Sequence, residues 1–309
     1  MLKNYLISTG GSGGHVLPAT IFYEHLSEEA NIIISTDKRG LKYLDKNKFQ
    51  IVTINTPKLN NIFLLPISLI IIKYLIIKSF FLLKKREINK VFSTGGYMSL
   101  PLILASRILG LEIFLIEPNH VLGRANKFFL NSCKKIFCYN EKIKNFPQKL
   151  KDKITIIDPL VKKQIYELEF SKKNDEKFTI LIVGGSQGAN IFNDNLKNSL
   201  LKISKNNSIK IIQQTYEENV SVLKNFYSEN NIENTIFTFD MNFTNILQRT
   251  DLCITRAGAS TLAELSVLNI PFIAIPLPTS KDNHQYENAK YYKEQDCCWI
   301  IDQKNFDEK

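Results

Sequence analysis

Short apolar runs recur along the chain, and each one ends in glycine or polar residues before a stretch of helical character. Asn4–Thr9 is apolar and β-rich, which predicts a strand. The run GGSGGH (residues 10–15) follows, and a helix is predicted from about Pro18, since proline is tolerated in a first helical turn. A strand predicted at Lys90–Ser93 is likewise followed by TGGY (residues 94–97). Strands that alternate with helices in this way predict parallel sheets.

The same pattern continues in the second half of the chain. A strand predicted at Phe178–Val183 precedes GGSQGA (residues 184–189) and a helix through about Ile203. The strand at Leu252–Thr255 precedes RAGAST (residues 256–261), and the strand at Pro271–Pro276 precedes a loop with DNHQ (residues 282–285). We therefore predict an α/β fold of two doubly wound, Rossmann-like domains that face a cleft, with residues 1–160 in the first and residues 161–309 in the second.

Two helix starts are candidate phosphate sites. Glu264 follows Thr261 at the spacing of a capping box, which predicts that a helix begins at Ser260 and Thr261. A helix start offers unpaired N–H groups and the positive end of the helix dipole, so it suits an anion. The glycine run at residues 10–15 predicts a second cradle of this kind. The alternative interpretation is an ordinary helix cap beside a surface loop.

Common nucleotide fingerprints do not fit the N-terminal glycine run. The dinucleotide fingerprint, counted from Gly11, needs glycine in the sixth place, where Val16 stands, and the phosphate-loop pattern ending in Gly-Lys fails too. Asp37, however, follows the strand predicted at Asn31–Thr36, where dinucleotide enzymes keep a ribose-binding acid. A dinucleotide-dependent oxidoreductase is therefore one alternative function.

His15 stands at the end of the glycine run, where we expect it to be exposed at the mouth of the loop. Histidine ordinarily titrates near working pH, so it is a candidate general base. The alternative is that His15 caps the helix or braces the loop.

The segment Asn61–Arg86 is apolar enough to suggest a membrane span. Lys73 and Lys78 interrupt it, and each central lysine costs about 2.5–3.5 kcal/mol on the insertion scale. A helix starting near Pro66 with a basic end suits the surface of an anionic bilayer. We therefore expect peripheral attachment through Phe63–Arg86; the alternative is a core helix with solvated lysines.

The composition narrows the classes of partner. With 309 residues the chain can hold two ordinary domains. Its 40 Lys and Arg against 30 Asp and Glu give a net charge of +10, which fits nucleic acid, anionic lipid or acidic small molecules. No nucleic-acid-binding signature accompanies the charge, so no nucleic-acid partner is predicted.

The cysteines and the N-terminus indicate a cytosolic protein. Five cysteines without paired spacing argue against a disulfide framework. Cys133 and Cys138 have no second ligand pair nearby, so buried reduced thiols are favoured over a zinc site. The first apolar run is too short for a signal peptide. With no Asp-X-Asp pair in the chain, no metal and no other cofactor is predicted.

Several of these motifs together resemble one enzyme family. TRAGASTLAEL (residues 255–265) followed by PLPTSKDNHQYENA (residues 276–289), with GGSGGHVLPA, GGY, GGSQGA and Glu117-Pro118-Asn119, is similar to the MurG family of peripheral membrane glycosyltransferases. The resemblance covers most of the chain. It implies the GT-B arrangement and inverting transfer of N-acetylglucosamine from UDP-N-acetylglucosamine to lipid I, the undecaprenyl-diphospho-muramyl-pentapeptide, to make lipid II.

The resemblance also implies a setting for this activity. The first domain would face the acceptor and the membrane, and the second would bind the UDP-sugar donor. The expected location is the cytoplasmic face of the bacterial inner membrane, on its anionic surface. Peptidoglycan synthesis would connect the protein to cell shape and division, with cell-wall synthesis and division proteins as candidate partners.

Residue roles follow from the same resemblance. His15 and Glu117 would be the catalytic residues: His15 as the general base, and Glu117, with Asn119, orienting the acceptor or that base. The N–H groups of Ser12, Gly13 and Gly14 would hold the acceptor diphosphate. Helix starts would stabilise the leaving UDP, Glu264 would accept from ribose hydroxyls, and Gln285 would contact the sugar. The implied donor contacts are Lys162, Ser186, Gln187, Thr238, Ala259, Ser260, Thr261, Glu264 and Gln285.

The chain departs from the family in three places. Pro118 replaces the glutamine of Glu-Gln-Asn, and Val161 replaces the arginine of Gly-Asn-Pro-X-Arg, whose charge Lys162 could supply. The family also continues into closing helices, so the resemblance implies a chain that is naturally short or truncated. Two further alternatives therefore stand: a glycolipid synthase that passes a UDP-hexose to diacylglycerol, and an inactive membrane-attached UDP-sugar binder.

Overall fold

The computed structural model describes residues 2–57, 63–167, 177–185, 190–238 and 243–306. It divides the chain into two compact units, Met1–Lys163 and Gln164–Lys309. Each unit is built around its own parallel β-sheet.

The first unit alternates strands with helices. Its strands are β1 (Lys3–Ser8), β2 (Ala30–Thr36), β3 (Gln50–Thr53), β4 (Lys90–Ser93), β5 (Glu112–Glu117), β6 (Lys135–Cys138) and β7 (Ile154–Ile156). Its helices are α1 (Gly13–Leu26), α2 (Leu65–Lys85), α3 (Leu100–Ile108) and α4 (Arg124–Phe129), and α5 (Lys163–Tyr166) lies at the boundary between the units. The strand order is β3-β2-β1-β4-β5-β6-β7, and neighbouring strands run parallel.

The second unit repeats this plan. Its strands are β8 (Phe178–Val183), β9 (Ile209–Gln214), β10 (Glu233–Phe237), β11 (Leu252–Thr255), β12 (Phe272–Ala274) and β13 (Cys298–Ile300). Its helices are α6 (Asn190–Asn195), α7 (Lys197–Ser204), α8 (Glu217–Glu229), α9 (Phe243–Leu247), α10 (Ala259–Val267) and α11 (His284–Lys293). The order β10-β9-β8-β11-β12-β13 is again parallel throughout.

Helices cover both faces of the first sheet. Ile33 and Ile34 are consecutive in β2, so their side chains point to opposite faces. Ile34 packs with Val16 of α1, whereas Ile33 packs in a cluster with Leu75 of α2 and Leu102 of α3. The strands are apolar on both sides for this reason, and the predicted fold class of two doubly wound α/β domains is confirmed.

The strand order places the glycine turns. In each sheet the order reverses beside the unit's first strand, between β1 and β4 and between β8 and β11. The connections that follow these two adjacent strands leave toward opposite faces of the sheet. They leave a crevice at the carboxyl ends of the strands, where open α/β sheets bind ligands. The runs at residues 10–15 and 94–97 follow β1 and β4, and residues 184–185 and 256–261 follow β8 and β11.

A buried chain of hydrogen bonds holds α6 in the second unit. The Tyr227 hydroxyl donates to Gln213 Oε1 at 2.7 Å, and Gln213 Nε2 donates to Asn193 Oδ1 at 2.9 Å. Asn193 Nδ2 then donates to the Thr215 hydroxyl oxygen at 2.9 Å. Because buried polar groups are costly unless they are paired, this chain determines how α6 lies on the sheet.

Two predicted helices differ from the structure. α1 begins at Gly13 rather than near Pro18, so Pro18 lies inside the helix. Proline has no N–H, so the helix lacks the bond from position 18 to the Gly14 carbonyl. The single helix predicted through about Ile203 is instead two helices, α6 and α7, with Leu196 between them.

Helix α2 is apolar on both its inner and its outer side. Its buried residues are Ser68, Ile72, Leu75, Ser79 and Leu83. The opposite side exposes Ile67, Ile70, Tyr74, Ile77 and Phe81, with Phe63 and Leu64 just before the helix. In the described part of the chain, α2 is the one helix long and apolar enough to cross a membrane by length and composition, and 22% of its most apolar stretch is buried. One face of α2 thus belongs to the core of the first unit.

Candidate active site

A buried carboxylate holds the first glycine loop. Asp37, at the end of β2, accepts the N–H groups of Gly11 at 2.8 Å and Gly40 at 2.9 Å on Oδ1. Arg39 Nε donates to its Oδ2 at 2.9 Å. Gly10 must be glycine here, because a Cβ at that position would lie 2.8 Å from Asp37 Oδ1. The loop after β1 is therefore fixed to the end of β2.

These bonds determine the ionisation of Asp37. Burial alone would raise the pKa of its carboxyl group, but the hydrogen bonds from Gly11 and Gly40 and the charge of Arg39 outweigh burial, so the pKa lies below its ordinary value. Both oxygens are engaged inside the protein. The ribose-binding role on which the oxidoreductase alternative depended therefore has no support in the geometry.

The first turn of α1 keeps backbone donors available. The Ser12 carbonyl accepts the N–H groups of His15 at 3.1 Å and Val16 at 3.2 Å. Among the described residues, the N–H groups of Gly13 and Gly14 have no acceptor, as expected for a helix start. The proposed diphosphate cradle at Ser12, Gly13 and Gly14 stays a prediction that fits this geometry.

His15 is half-buried and is held by Thr94, which follows β4. Its Nδ1 lies 2.8 Å from the Thr94 carbonyl oxygen. A carbonyl only accepts, so Nδ1 carries the proton and, in the neutral ring, Nε2 keeps a lone pair. The Thr94 hydroxyl also donates to Thr9, whose hydroxyl donates to the His15 carbonyl at 2.8 Å. The ring is thus held in the tautomer that a general base requires.

Glu117 anchors the loop after β5. Its Oε1 accepts the Asn119 side-chain amide at 3.0 Å, and its Oε2 accepts the Gly123 N–H at 2.8 Å and Asn126 Nδ2 at 3.0 Å. The residue is only 3% exposed. This geometry fits the orienting role predicted for Glu117 and Asn119, whereas direct catalysis by Glu117 stays a prediction.

The loop after β5 also contains a histidine, His120, which does not compete with His15 as a base. Burial lowers the pKa of His120 to about 4, and its Nδ1 contacts the Asn140 side-chain amide. A buried imidazole with so low a pKa is a much weaker base than an ordinary histidine, and His120 packs as a core residue.

The strand ends of the second unit carry the donor motifs. Gly184 and Gly185 follow β8, but Ser186 and Gln187 lie outside the described residues. Thr238 follows β10, and its carbonyl accepts Gln214 Nε2 at 3.0 Å.

The N-cap of helix α10 lies three residues earlier than the capping-box spacing indicated. Gly258 is its N-cap, so Ala259, Ser260 and Thr261 form its first turn and Thr261 does not cap Glu264. The predicted capping box is therefore wrong, because glycine turns the chain before the threonine is reached. The first helical hydrogen bond is from Leu262 N–H to the Gly258 carbonyl at 3.0 Å. The N–H groups of residues 259–261 thus have no partner within the helix.

Side chains connect the segment after β11, the segment after β12 and helix α11 at the carboxyl edge of the second sheet. Gln285, at the start of α11, accepts the Leu277 N–H on Oε1 at 2.9 Å, which leaves its Nε2 as a donor. Asn288 Nδ2 donates to the Ala257 carbonyl at 3.2 Å, and Arg256 Nη1 donates to the Ile275 carbonyl at 2.9 Å. Glu264 lies one turn into α10 and is 8% exposed. Arg256 and Asn288 were in the recognised motifs, but their roles as cross-links depend on partners distant in sequence.

Val161, which stands where the family pattern has arginine, lies in the first unit. Val161 is fully buried, and its carbonyl lies 2.9 Å from His25 Nε2. Lys162 follows in the same unit and is half-buried. A role of Lys162 in donor binding stays a prediction.

The described residues contain no group of three or more His, Cys, Asp or Glu side chains that could hold a metal ion. Each of the five cysteines is a free thiol. Burial raises the pKa of the Cys133 and Cys138 thiols, so both stay protonated.

Sequence comparisons match both units to one family. Residues 5–138 match the glycosyltransferase family 28 N-terminal domain, and residues 179–309 match the glycosyltransferase family 28 C-terminal domain.

Two bacterial relatives bear the name UDP-N-acetylglucosamine–N-acetylmuramyl-(pentapeptide) pyrophosphoryl-undecaprenol N-acetylglucosamine transferase. The protein from Pelagibacter ubique is 48% identical over 100% of this chain and 87% of its own length. The protein from Rickettsia bellii is 35% identical over 98% of this chain and 86% of its own. A crystal structure of MurG from Acinetobacter baumannii shares the fold, with a TM-score of 0.78, 24% identity, and coverage of 99% of this chain and 88% of that one.

The carboxylate of Asp37 generates a stability prediction. Asp37→Asn should lower the free energy of unfolding by about 1–3 kcal/mol at pH 7, because the amide presents N–H groups to Arg39. The pKa of Asp37 is lower in the folded protein than in the unfolded chain. The carboxylate therefore contributes fully to the free energy of unfolding above the ordinary aspartate pKa of about 3.9, and this contribution is lost as the pH falls through the folded-state pKa. Urea unfolding at several pH values measures both effects.

The matched control for this measurement is Glu229→Gln on the exposed side of α8, which should leave stability within about 0.5 kcal/mol of the wild type. Equal stability of Asp37→Asn and the wild type at pH 7 would show that the carboxylate does not hold the loop.

Proposed function

The chain belongs to glycosyltransferase family 28, and we propose that it transfers N-acetylglucosamine from UDP-N-acetylglucosamine to the muramyl 4-hydroxyl of lipid I, giving lipid II for peptidoglycan synthesis. The observation that carries the proposal is the 48% identity, over the whole chain, with a relative that bears the name of this activity. The geometry of His15 and of the α10 start supports the chemistry.

His15 is proposed as the general base. As the acceptor oxygen forms its bond to C1 of N-acetylglucosamine, His15 Nε2 takes the hydroxyl proton, and the C1–O bond to UDP breaks with its electron pair leaving on the diphosphate. Attack opposite to the leaving group inverts the configuration at C1. The carbonyl of Thr94, 2.8 Å from Nδ1, stabilises the protonated ring that forms.

The second unit supplies the donor contacts. The N–H groups of Ala259, Ser260 and Thr261, which have no partner within the helix, can stabilise the negative charge that develops on the leaving diphosphate. Glu264, on the same side of α10 as Ser260 and Thr261, would accept from the ribose hydroxyls. Gln285, whose Oε1 is held by Leu277, would donate through Nε2 to the sugar.

Mass spectrometry of lipid I incubated with the protein and UDP-N-acetylglucosamine tests the reaction. The expected product is heavier by one N-acetylhexosamine residue. A parallel incubation with diacylglycerol and UDP-glucose or UDP-galactose tests the glycolipid-synthase alternative. UDP binding without turnover of either acceptor would support the inactive sugar-nucleotide binder.

The membrane proposal rests on α2. Its inner face contributes Leu75 and Leu83 to the core of the first unit, so a spanning arrangement would have to remove them. Its outer face is exposed and apolar, and Lys73 and Lys78 flank that face. A helix that is docked on one side and apolar on the other fits the surface of an anionic bilayer, here the cytoplasmic face of the inner membrane.

The product suggests the cellular role. Because lipid II is consumed by cell-wall assembly, we propose that the protein contributes to cell shape and division, beside cell-wall synthesis and division proteins.

His15→Ala should lower turnover by about 10²–10⁴-fold with little change in donor affinity, because a general base is lost. The acid limb of the rate profile should vanish with the titrating group. Steady-state kinetics across a pH series measures both.

His15→Asn separates catalysis from loop bracing. Asparagine can place its side-chain N–H near the position of His15 Nδ1 and keep the bond to Thr94, but it has no base. If His15 is the base, His15→Asn should be as slow as His15→Ala. Near-normal turnover of His15→Asn would leave only the bracing role.

Glu264→Ala should weaken UDP-N-acetylglucosamine binding by about 1–3 kcal/mol if a ribose hydrogen bond is lost, as calorimetry can measure. Glu264→Gln keeps an acceptor oxygen and should lose less. An unchanged UDP affinity in Glu264→Ala would remove this residue from the donor site.

Anionic vesicles test the role of α2. Replacing exposed Ile70 and Ile77 by glutamate should lower vesicle binding at least tenfold, because burying each isoleucine contributes about 1.5–3 kcal/mol. Val222→Glu, an exposed valine on α8, is the matched control and should bind like the wild type. Binding should fall as salt screens the lysines.

Resistance of the wild type to carbonate extraction would contradict peripheral attachment and indicate a span. Equal binding by the α2 double variant and the Val222→Glu control would show that this helix face does not contact the lipid.

A further inference from the structure

Two buried serine hydroxyls lie at the turn after β4. The Gly95 N–H donates to Ser93 Oγ at 3.1 Å, Ser93 Oγ donates to Ser99 Oγ at 3.1 Å, and Ser99 Oγ donates to the Gly95 carbonyl at 3.1 Å. Both serines are fully buried. The directions of these bonds are determined, because an N–H can only donate and a carbonyl can only accept. Ser93 therefore presents a lone pair to Gly95, and Ser99 accepts the hydrogen of Ser93.

The N–H bound by Ser93 belongs to the same peptide group as the carbonyl that binds His15. A peptide group is planar and joins the carbonyl of one residue to the N–H of the next, so the Thr94 carbonyl and the Gly95 N–H turn together. This peptide donates its N–H to Ser93, and its carbonyl oxygen lies 2.8 Å from His15 Nδ1. The bond to Ser93 thus aims the carbonyl at the imidazole ring.

Gly95 would allow this peptide to turn over. Gly95 has a φ of +90°, and glycine adopts positive and negative φ about equally readily, so no side chain at this position opposes the turned peptide. The turned peptide would direct the Gly95 N–H at His15 Nδ1, and that nitrogen would have to accept. The proton of the neutral ring would then lie on Nε2, which would have no lone pair with which to take a proton.

We propose that Ser93 and Ser99 determine which nitrogen of His15 carries the proton, by holding the Thr94–Gly95 peptide in one orientation. A turned peptide would present its carbonyl to Ser93, which could donate to it only by giving up the bond to Ser99. Without the Ser93 hydroxyl, the observed orientation leaves a buried N–H without an acceptor, and orphaned N–H groups are rarer in proteins than orphaned carbonyls. The two serines are positioning residues, since they act on the ring through one peptide group.

The consequence for catalysis rests on the proposed function, in which His15 Nε2 takes the acceptor proton. Only a ring with its proton on Nδ1 can do so, and turnover should therefore follow the share of His15 in that tautomer. The affinity for UDP-N-acetylglucosamine should not follow it, because Ser93 and Ser99 lie in the first unit and the donor contacts proposed on α10 and α11 lie in the second.

The experiment measures the tautomer in the full chain without substrate. Long-range ¹H–¹⁵N spectra distinguish protonated from unprotonated ring nitrogens, and the spectra are recorded at about pH 8.5, where an ordinary histidine is neutral. The signals of His15 are those absent from His15→Asn. The wild type should carry the proton on Nδ1.

Removal of either hydroxyl should move the proton. In Ser93→Ala the ratio of the Nδ1–H to the Nε2–H tautomer should fall at least about tenfold, because the observed orientation leaves a buried N–H unpaired. Ser99→Ala should lie between Ser93→Ala and the wild type, because Ser93 can still accept from Gly95 but is free to donate to a turned carbonyl. In both variants kcat with lipid I should fall by the factor by which the Nδ1–H share falls, and KM for UDP-N-acetylglucosamine should not change.

Ser106→Ala is the matched control. Ser106 is a fully buried serine of the same unit, and its hydroxyl donates to the Leu102 carbonyl at 2.7 Å within α3. Ser106→Ala should keep the wild-type tautomer ratio even where its stability falls as much as that of Ser93→Ala. Ser93→Thr keeps a hydroxyl and should restore the proton to Nδ1.

Two results would overturn the inference. One is a wild-type His15 with its proton on Nε2, a measurement that requires no variant to fold. The other is a folded Ser93→Ala protein that keeps the wild-type tautomer ratio, because the hydroxyls would then only brace the turn. A wild type that transfers nothing to lipid I would refute the proposed function, whereas a shifted tautomer ratio in Ser93→Ala would still support the inference.

Discussion

In a parallel sheet the carboxyl ends of all strands lie at the same edge. The rest of the site depends on this constraint. Where the strand order reverses, between β1 and β4 and between β8 and β11, consecutive loops leave in opposite directions and open a crevice. The chain must turn there with little side-chain bulk, and the runs at residues 10–15, 94–97 and 256–261 do so with glycine or alanine. The proposed chemistry uses this edge because helix starts leave backbone N–H groups there without a partner in the helix, whereas the strands pair theirs with one another.

The loops at this edge have N–H groups that no strand accepts. Side-chain oxygens accept some of these N–H groups inside the protein. Asp37 takes Gly11 and Gly40, Glu117 takes Gly123, and Gln285 takes Leu277. In the described part of the chain, the N–H groups of Gly13 and Gly14 and of the first turn of α10 have no partner within their helices, because they lie at helix starts. If these starts bind the diphosphates as proposed, the anion would meet donors already held in place, which is the condition for electrostatic stabilisation of a leaving group.

Local pattern was sufficient for the strands and turns but not for these cross-links. Leu252–Thr255 was predicted with the bounds that β11 has, because an apolar run between a polar residue and a glycine turn has few alternative structures. Gly11, the loop residue that Asp37 binds, is 26 residues from Asp37, and Thr94 is 79 residues from His15, so no short window of sequence contains either pair. The wrong capping box has the same origin: Thr261 and Glu264 have the right spacing, but Gly258 turns the chain first.

Helix α2 lacks the usual contrast between an apolar inner face and a polar outer face. Its buried positions, from Ser68 to Leu83, lie on the opposite side of the helix from the exposed row between Ile67 and Phe81, and both sides are largely apolar. An ordinary surface helix would be polar on its outer side, so the sequence periodicity is weak although the packing is one-sided. Lys73 and Lys78 flank the exposed row rather than interrupt it. If the helix lies on a membrane as proposed, the long stems of these lysines would cover apolar surface and their charges would meet lipid headgroups, while the inner face of the helix stays in the core. The same lysines that argue against a span are thus suitably placed for a helix lying on a membrane surface.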